Sequence, residues 1–389
     1  MITAHVNKII LEDKNTEHSD IRATGVLFEY GGKVHTVHAR RDVILSAGAL
    51  KTPQLLELSG IGRGNVLAKI GVPLRVELPG VGENVQEHIF AQLSYELKED
   101  VKFDTLDLLR DPVLAAKHLE LHAAGSGIHT SGIIGFAFAT MGQVTPKARE
   151  IYQSIRHIID TTDFSSSPAS LKEQYEILAE RFDPDSEKAS PGCEFISFPG
   201  YLSHPNPPEP GKRYITFFAA ANHMLSRGTI HCTSADPTVD PEFDPRTLMV
   251  VADMDVLVEM CKFTRKAANT APFKDMYGEY NGPVRKERRS TITSTVKELN
   301  PGVEVQTDKQ WREWLKTSFS TTWHTSSSCS MLPRKKDGVV DANLKVYGTQ
   351  NLRVVDLSVI PLQIAAHPQS MVYGIAEQAA DIIKGKFTG

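Results

Sequence analysis

A glycine pair between two β-rich runs is the feature that most restricts how this chain of 389 residues begins to fold. The runs "ATGVLFEY" and "KVHTVHA" flank Gly31 and Gly32, and two residues that tolerate positive φ angles are typical of a tight hairpin turn. An earlier run, "HVNKIIL", and a later one, "DVILSAG", are also β-rich. The sequence therefore predicts a small sheet of four strands near the N-terminus.

A helix is predicted after the fourth of these strands, in the stretch "TPQLLELSG". Thr52 has the residue type of an N-cap, Pro53 suits the first turn, and Gly60 is a stop signal. Strand and helix follow each other again near the C-terminus, where "NLRVVDLS" ends near Asp356 and "SMVYGIAEQAADIIKGK" has apolar residues at helical spacing. We expect Ser370 to cap this last helix, whose N-terminal amides favour a polarised carbonyl or an anion.

The middle of the chain alternates between the two kinds of element. Strands are predicted in "IFAQLSYEL", "CEFISFPGYLS", "RYITFFAAANHM" and "RGTIHC", and helices in "SLKEQYEILAERF" and "VADMDVLVEMCKFTRKAA". The stretches "SSSPAS" and "HPNPPEPGK" are typical of exposed loops. The pattern predicts a mixed α+β region with a large sheet and helices on one face.

Charge and composition exclude several kinds of partner. A formal net charge of -4 and a pI of about 6.4 argue against nucleic acid. We find no apolar run of about 18 residues for a membrane span and no signal peptide, so a cytoplasmic location is expected. The four cysteines are scattered without a C-x-x-C pair, which indicates neither a disulfide framework nor a zinc site: Cys193, Cys232, Cys261 and Cys329.

Two histidines lie in similar surroundings of small residues. His324 is in "TTWHTSSSCSM" and His367 is in "AAHPQSM". A lone histidine in such a loop is often structural, but a neutral imidazole can also act as a base near neutral pH. We interpret His88 and His129 as surface or packing residues, and Cys329 as a small buried apolar residue rather than a nucleophile.

Several sequence blocks, in one order, resemble those of a known family. "GALKTPQLLELSGIG" followed by "LPGVGENVQEH" resembles the second signature of the glucose-methanol-choline (GMC) oxidoreductases. "TTWHTSSSCSMLP", "GVVDANLKVYGTQNLRVVDLSVIP" and "HPQSMVYGIAEQAADII" are similar to the family's C-terminal part in order and spacing. The resemblance covers essentially the whole chain, most weakly in the middle, and is strongest to the fungal aryl-alcohol-oxidase and secondary-metabolism branch.

The resemblance implies a fold of class α/β plus α+β. An incomplete GMC-type FAD domain, made of residues 1–90 and 338–389, would flank a mixed-sheet substrate-binding domain of residues 91–337. It also implies FAD as cofactor and oxidation of a primary alcohol, aromatic or polyketide-like, by hydride transfer. His324 would be the base and His367 the second catalytic residue. The residues that would contact the cofactor are Val6, Trp323, Asp356, Leu357, Pro368 and Gln369.

One family feature is missing from the sequence. GMC proteins normally contain a strand, a G-x-G-x-x-G turn and a helix that cradle the FAD pyrophosphate, whereas the glycines of "GIGRG" and "PGVGEN" lack that spacing. The chain looks like a GMC protein that starts after its dinucleotide-binding segment. We therefore expect FAD to bind weakly or not at all to this chain alone.

This absence leaves three hypotheses for function. In the first, the chain oxidises a small-molecule alcohol, and its nucleotide-binding segment either is supplied by a separate chain or was lost from this sequence. In the second, it is an FAD-independent, repurposed enzyme of secondary metabolism that catalyses isomerisation, dehydration or cyclisation with His324 and His367 as acid and base. In the third, it is a non-catalytic remnant or binding partner.

Overall fold

A computed structural model describes residues 3–12, 20–101, 103–133, 135–277 and 297–386. The strands within this part are β1 His5–Leu11, β2 Ala23–Tyr30, β3 Lys33–His38, β4 Val43–Leu45, β5 Ile61–Gly62, β6 Val76–Glu77, β7 Ile89–Glu96, β8 Gly135–Ala139, β9 Cys193–Phe198, β10 Tyr214–Ala221, β11 Thr229–His231, β12 Glu242–Asp244, β13 Glu298–Asn300, β14 Phe319–Thr321 and β15 Leu352–Val354. The helices are α1 Gly48–Leu58, α2 Gly64–Lys69, α3 Pro112–Ala123, α4 Met141–Val144, α5 Ala148–Thr161, α6 Leu171–Phe182, α7 Val251–Ala268, α8 Asp308–Ser318 and α9 Gln369–Ile383. These elements form a mixed α/β fold with several sheets.

The predicted N-terminal hairpin is confirmed, but its sheet has three strands. β1, β2 and β3 are antiparallel in that order, and Gly31 and Gly32 join β2 to β3 with φ angles of 59° and 70°. The prediction that β4 completes this sheet is wrong, because β4 pairs in parallel with β15. Val43 and Leu45 are buried, and this pairing places them in a core to which both strands contribute.

The helix predicted from Thr52 onward starts earlier than expected. α1 begins at Gly48, so Thr52 lies inside the helix and is not its N-cap. Its hydroxyl donates a hydrogen bond of 2.6 Å to the carboxylate of Asp356 and accepts one of 3.2 Å from the N–H of Ala47. Gly60 follows the helix at a φ angle of 82°, as a stop signal should.

Pro53 is tolerated inside α1 because another loop takes up the carbonyl that it leaves unpaired. A proline has no N–H, so the carbonyl of Ala49, four residues earlier, loses its helical donor. The hydroxyl of Ser328 donates to that carbonyl at 2.6 Å. The "HTSSSCS" stretch therefore contributes directly to the stability of α1.

The large mixed-region sheet that the sequence predicts is present. Its strands are ordered β13, β7, β10, β9 and β8, and β14 also pairs with β7. Helices α4 to α8 pack on one face of this sheet and share a core with alternate residues of β7 and β10. β11 does not join it and pairs instead with β12.

A second core combines the two ends of the chain. Its buried side chains come from residues 9–81 and from residues 329–379. The core of the large sheet is built from residues 89–315. The division at residues 90 and 338 stays a prediction, since Cys329 already belongs to the core of the two ends.

None of the helices in the described part of the chain is long and apolar enough to cross a membrane.

A partly buried ion pair joins α1 to β11 and should make folding stability depend on pH. Nδ1 of His231 is 2.7 Å from the carboxylate of Glu57, and its Nε2 is 3.4 Å from that of Glu83. Burial favours the neutral ring, but the hydrogen bonds and charges of Glu57 and Glu83 outweigh it and raise the pKa of His231 to about 9. A group whose pKa is raised on folding stabilises the protein at low pH and loses that effect as pH rises through its folded pKa.

We therefore expect His231 to stabilise the fold fully below about pH 6.5 and to lose this contribution as the pH rises to about 9. The contribution is at most about 3 kcal/mol. Urea unfolding of the wild type and of His231→Gln across this range measures it. The free-energy difference between the two proteins should shrink as pH rises, and a difference that is the same at every pH would contradict this role.

Candidate active site

The His324 loop is held in place by one partly buried carboxylate. β14 ends at Thr321, and Trp323 has a positive φ angle of 58°, so the chain turns sharply before the histidine. The carboxylate of Glu87 accepts a hydrogen bond of 2.7 Å from the backbone N–H of His324 and one of 2.6 Å from the hydroxyl of Thr325. Burial raises the pKa of Glu87, although these hydrogen bonds act against the rise. Glu87 thereby fixes the backbone that carries the imidazole.

The block "ENVQEH" also connects this loop to the one that leads to His367. The side chain of Gln86 donates to the carbonyl of Pro361 at 3.2 Å and accepts from the N–H of Gln363 at 3.1 Å. The amide of Gln363 donates in turn to the carbonyl of His324 at 2.8 Å. Two loops that are far apart in sequence are thus held side by side.

Gly80 and Gly82, which precede the block "ENVQEH", allow backbone segments to pack closely against each other. A Cβ atom on Gly80 would lie 1.8 Å from the carbonyl oxygen of Asp337. Gly82 has a φ angle of 77°, and a Cβ atom there would lie 2.1 Å from the carbonyl oxygen of Ile230. Both positions need glycine because backbones approach each other closely.

The ring of His324 faces a second imidazole that has no exposed surface. Nδ1 of His88 is 3.0 Å from Nδ1 of His324, and Nε2 of His88 is 3.0 Å from the carbonyl oxygen of Ile364. Burial, together with the charge of His367, lowers the pKa of His324 to about 4. Burial, with His324 beside it, lowers the pKa of His88 to about 3. Both rings are therefore neutral near pH 7, the state in which an imidazole accepts a proton.

His367 brings a buried carboxylate into the site. Its Nε2 is 2.6 Å from Oε1 of Glu194, a residue of β9 that is 2% exposed. The other oxygen of Glu194 accepts a hydrogen bond of 2.9 Å from the side-chain amide of Asn222. The ring centroids of His324 and His367 are 5.8 Å apart. The two histidines singled out in the sequence therefore lie next to each other, each with its own partner.

One face of the large sheet presents aromatic side chains beside these histidines. Phe90 and Phe218 are buried edge to face, with ring centroids 5.0 Å apart. Phe136 and Phe138 of β8 are each 41% exposed, and their centroids are 5.0 and 6.4 Å from that of His367. A planar apolar group placed beside the imidazoles would meet aromatic rings on this face.

Asp356 and Leu357, two of the predicted cofactor contacts, follow the end of β15. One carboxylate oxygen of Asp356 accepts from the N–H of Gly48 at 3.0 Å and from the hydroxyl of Thr52, and the other accepts from the N–H of Ser358 at 2.9 Å. Leu357 is half-buried beside it. Asp356 therefore connects the end of β15 to the start of α1, and a direct contact of either residue with FAD stays a prediction.

Pro368 and Gln369 form the start of α9, immediately after His367. The prediction that Ser370 caps this helix is wrong, because Pro368 is the N-cap residue and no side chain caps the first turn. The reason is that the helix begins at Gln369, which places Ser370 inside its first turn. The first amides of α9 thus have neither a helical nor a side-chain acceptor. Ala379 is the buried residue of α9.

Trp323 and Val6 are the last two predicted cofactor contacts. Trp323 is 78% exposed, and its ring centroid is 6.4 Å from that of Phe90. Val6 is on β1, opposite Phe28, and has no contact with the two histidines among the described interactions. Its strand packs on α1, the helix that carries Thr52.

The cysteines in the described part are buried and unpaired. Cys329, near His324, is fully buried, and burial raises its pKa well above the usual range. This confirms its interpretation as a small buried residue. Within the described residues, no group of three or more potential metal ligands is present.

Sequence reasoning missed His88, Glu87 and Glu194. The sequence predicts His88 only as a surface or packing residue and gives no sign of its hydrogen bonds to two distant loops. Glu194 offers a signal in hindsight, because a carboxylate in the β-rich run "CEFISF" is costly to bury without a partner. No such signal distinguished His88 from other histidines.

Replacing Glu194 with glutamine should weaken the support of His367 while keeping the shape of the side chain. For the alcohol oxidation that the family resemblance implies, we expect kcat/KM to fall about 10- to 100-fold in the flavin-loaded form, since a charge-assisted hydrogen bond contributes about 1.5–3 kcal/mol. Steady-state kinetics measures the change. Glu173→Gln is the matched control, because Glu173 is paired with Lys336 on the surface. Equal effects of the two substitutions would show that Glu194 has no special role.

Solved structures with the same fold include those of FAD-dependent oxidoreductases. An FAD-dependent oxidoreductase from Chaetomium thermophilum superimposes with a TM-score of 0.79 at 24% identity, over 99% of this chain and 61% of that chain. The structure of a fungal aryl-alcohol oxidase gives a TM-score of 0.78 at 24% identity, over 98% of this chain and 60% of that chain. These similarities show that the chain has the mixed α/β fold of such oxidoreductases.

Sequence comparison then identifies the family. Two family models, both described as GMC oxidoreductase, match residues 1–90 and 225–376. The GMC oxidoreductase family protein Mala s 12 of Malassezia sympodialis is 35% identical over 390 aligned residues, which cover 99% of this chain and 56% of that protein. The chain belongs to the GMC oxidoreductase family, a family of enzymes. It spans about half the length of the curated relatives that it matches.

Proposed function

We propose that this chain is the part of a GMC oxidoreductase that binds and deprotonates a primary alcohol, with His324 as the base and FAD as the hydride acceptor. The observation that best supports this proposal is the 5.8 Å separation of the His324 and His367 rings. A hydroxyl oxygen between two imidazoles at this spacing can hydrogen bond to both.

The two imidazoles would have different roles in the reaction, because their surroundings differ. His324 is neutral near pH 7, so one of its nitrogens can take the hydroxyl proton. His367, held through Nε2 by the buried carboxylate of Glu194, would place its other ring nitrogen, Nδ1, beside the same oxygen and so orient it. When bound, FAD supplies the acceptor for the hydride that leaves the alcohol carbon.

The described residues fit one end of this cofactor. The uncapped N-terminus of α9 directly follows His367, and its amides suit a polarised carbonyl or an anion. Trp323 offers an exposed aromatic surface next to His324. The chain contains no G-x-G-x-x-G turn for the pyrophosphate. We infer that a nucleotide-binding segment outside these 389 residues, on a separate chain or on the same one, completes the FAD site.

An aromatic or polyketide-like alcohol is the substrate class that we favour. Phe136 and Phe138 are part-exposed beside His367, and Phe90 and Phe218 continue the aromatic surface along the sheet. Aromatic side chains bind planar apolar groups through offset or edge-to-face contacts. A small aliphatic alcohol would leave most of this surface without a partner.

The proposal is tested on protein that has been loaded with flavin in the presence of a nucleotide-binding segment, by mixing it with alcohols in the absence of oxygen. A primary benzylic alcohol should bleach the flavin absorbance, whereas the matched tertiary alcohol, which has no hydrogen on its carbinol carbon, should not. If a flavin-loaded protein is not reduced by any of a panel of primary alcohols, the proposal fails. Conversion of a substrate without flavin or redox change would instead favour the FAD-independent isomerisation, dehydration or cyclisation.

A further inference from the structure

The hydrogen bonds of His88 restrict where its own proton can lie. The carbonyl oxygen of Ile364 can only accept, so Nε2 of His88 carries the hydrogen in their 3.0 Å contact. A neutral imidazole has one N–H, which leaves a lone pair on Nδ1 of His88. His88 has no exposed surface, and burial without a counter-charge disfavours a second proton on the ring.

The lone pair on Nδ1 of His88 in turn determines which ring nitrogen of His324 carries a hydrogen. Nδ1 of His324 lies 3.0 Å from Nδ1 of His88, with the rings edge to face. Two lone pairs at this distance would repel each other, so Nδ1 of His324 has to donate a hydrogen. The neutral ring of His324 then has its lone pair on Nε2.

We propose that His88 is a positioning residue that holds His324 in the Nδ1–H tautomer and so makes Nε2 the basic atom. The role of Nε2 in deprotonating an alcohol rests on the proposed function, whereas the tautomer does not. In that step the alcohol O–H bond breaks, its electron pair stays on oxygen, and a new N–H bond forms at Nε2. The hydrogen on Nδ1 of His324 stays in its bond to His88. The C–H bond of the alcohol carbon would break with its electron pair as the hydride that FAD accepts, and the electron pair left on oxygen would form the C=O bond.

The charges around His88 support a passive role for its ring. Its neighbours among the titratable groups are the histidines His324, His223 and His367, all of which disfavour a positive charge on His88. The carboxylate of Glu87 bonds to the backbone N–H of His324 rather than to either ring. His88 therefore accepts a hydrogen bond from His324 without taking its proton.

The tautomer can be measured on the 389-residue chain without cofactor or substrate. Long-range proton–nitrogen NMR of protein labelled with ¹⁵N at histidine distinguishes a protonated ring nitrogen from one with a lone pair. The signals of His324 are identified by their loss in His324→Asn. At about pH 7 we expect a proton on Nδ1 of His324 and on Nε2 of His88. A proton on Nε2 of His324, or averaging of its two nitrogens, would overturn the proposal.

Two substitutions at His88 separate positioning from packing. His88→Asn keeps a side-chain oxygen near the position of Nδ1, so His324 should retain its Nδ1–H signal. His88→Leu removes the acceptor, and the two nitrogens of His324 should then become averaged. A Nδ1–H signal that persists in His88→Leu would refute the proposal. Thermal unfolding shows whether His88→Leu folds. If it does not fold, the proposal is judged from the Nδ1–H signal of His324 in the wild type and in His88→Asn, and absence of that signal from either protein would refute it.

Kinetics of the flavin-loaded form then connects the tautomer to the reaction. We expect kcat/KM to fall at least about tenfold further in His88→Leu than in His88→Asn, with KM changed less than kcat. Equal losses in both variants would argue against positioning through a hydrogen bond. If the tautomer is as stated but no primary alcohol is oxidised by the wild type, the proposed function fails and the tautomer assignment stands.

Discussion

Replacing His324 with alanine should lower kcat/KM for a primary alcohol by about 10²- to 10⁴-fold in the flavin-loaded form, the usual contribution of a general base. The affinity for FAD should change far less, because the ring of His324 faces His88 and His367, and its loop is held through the backbone by Glu87. Steady-state kinetics and a flavin titration of the same preparation measure the two effects.

His129→Ala is a suitable control for this substitution. His129 is exposed, its ring lies edge to face with that of His122, and none of the described contacts joins it to His88, His324 or His367, so its loss should leave kcat/KM within about twofold of the wild type. A His324→Ala protein that loses kcat/KM and FAD affinity to the same degree would indicate a structural role for His324. Such a result would remove the base from the proposed reaction.

The 389-residue chain, purified alone and gel-filtered, should be colourless or weakly yellow. Without a glycine-rich turn, the FAD pyrophosphate lacks a cluster of backbone donors, and its charges would face unpaired polar groups. Only parts of the cofactor would contact the amides at the start of α9 and the residues around Asp356. Both carboxylate oxygens of Asp356 already accept hydrogen bonds from backbone N–H groups of the protein. Flavin absorbance per protein measures the occupancy, which we expect to be far below one.

Adding a separate nucleotide-binding segment distinguishes the explanations for a colourless protein. If flavin binding and alcohol oxidation return, the oxidoreductase proposal is supported. Full yellow colour from this chain alone would contradict the prediction and show that the described residues hold FAD without the glycine-rich turn. A mixture that gains neither flavin nor alcohol oxidation would count against the role of such a segment.

Local sequence signals predicted the elements well where short-range effects dominate. The glycine pair of the β2–β3 hairpin, the strands β1 and β7, and the helices α6 and α7 lie where alternation or helical periodicity indicated. The two histidines were recognised through the blocks around them, and the structure brings their rings to 5.8 Å. These features depend on residues that are close in sequence or on motifs that can be read directly.

The tertiary structure decided the features that depend on distant partners. Thr52 has the residue type of an N-cap, but its hydroxyl donates a hydrogen bond to Asp356, 304 positions away at the end of β15. The helix itself starts at Gly48, four residues before Thr52. His88 is 236 positions from His324, and Glu194 is 173 positions from His367. The sequence by itself determined which residues could do chemistry. Only folding determined their partners, because hydrogen bonds and burial act through space and leave no local periodicity in the chain.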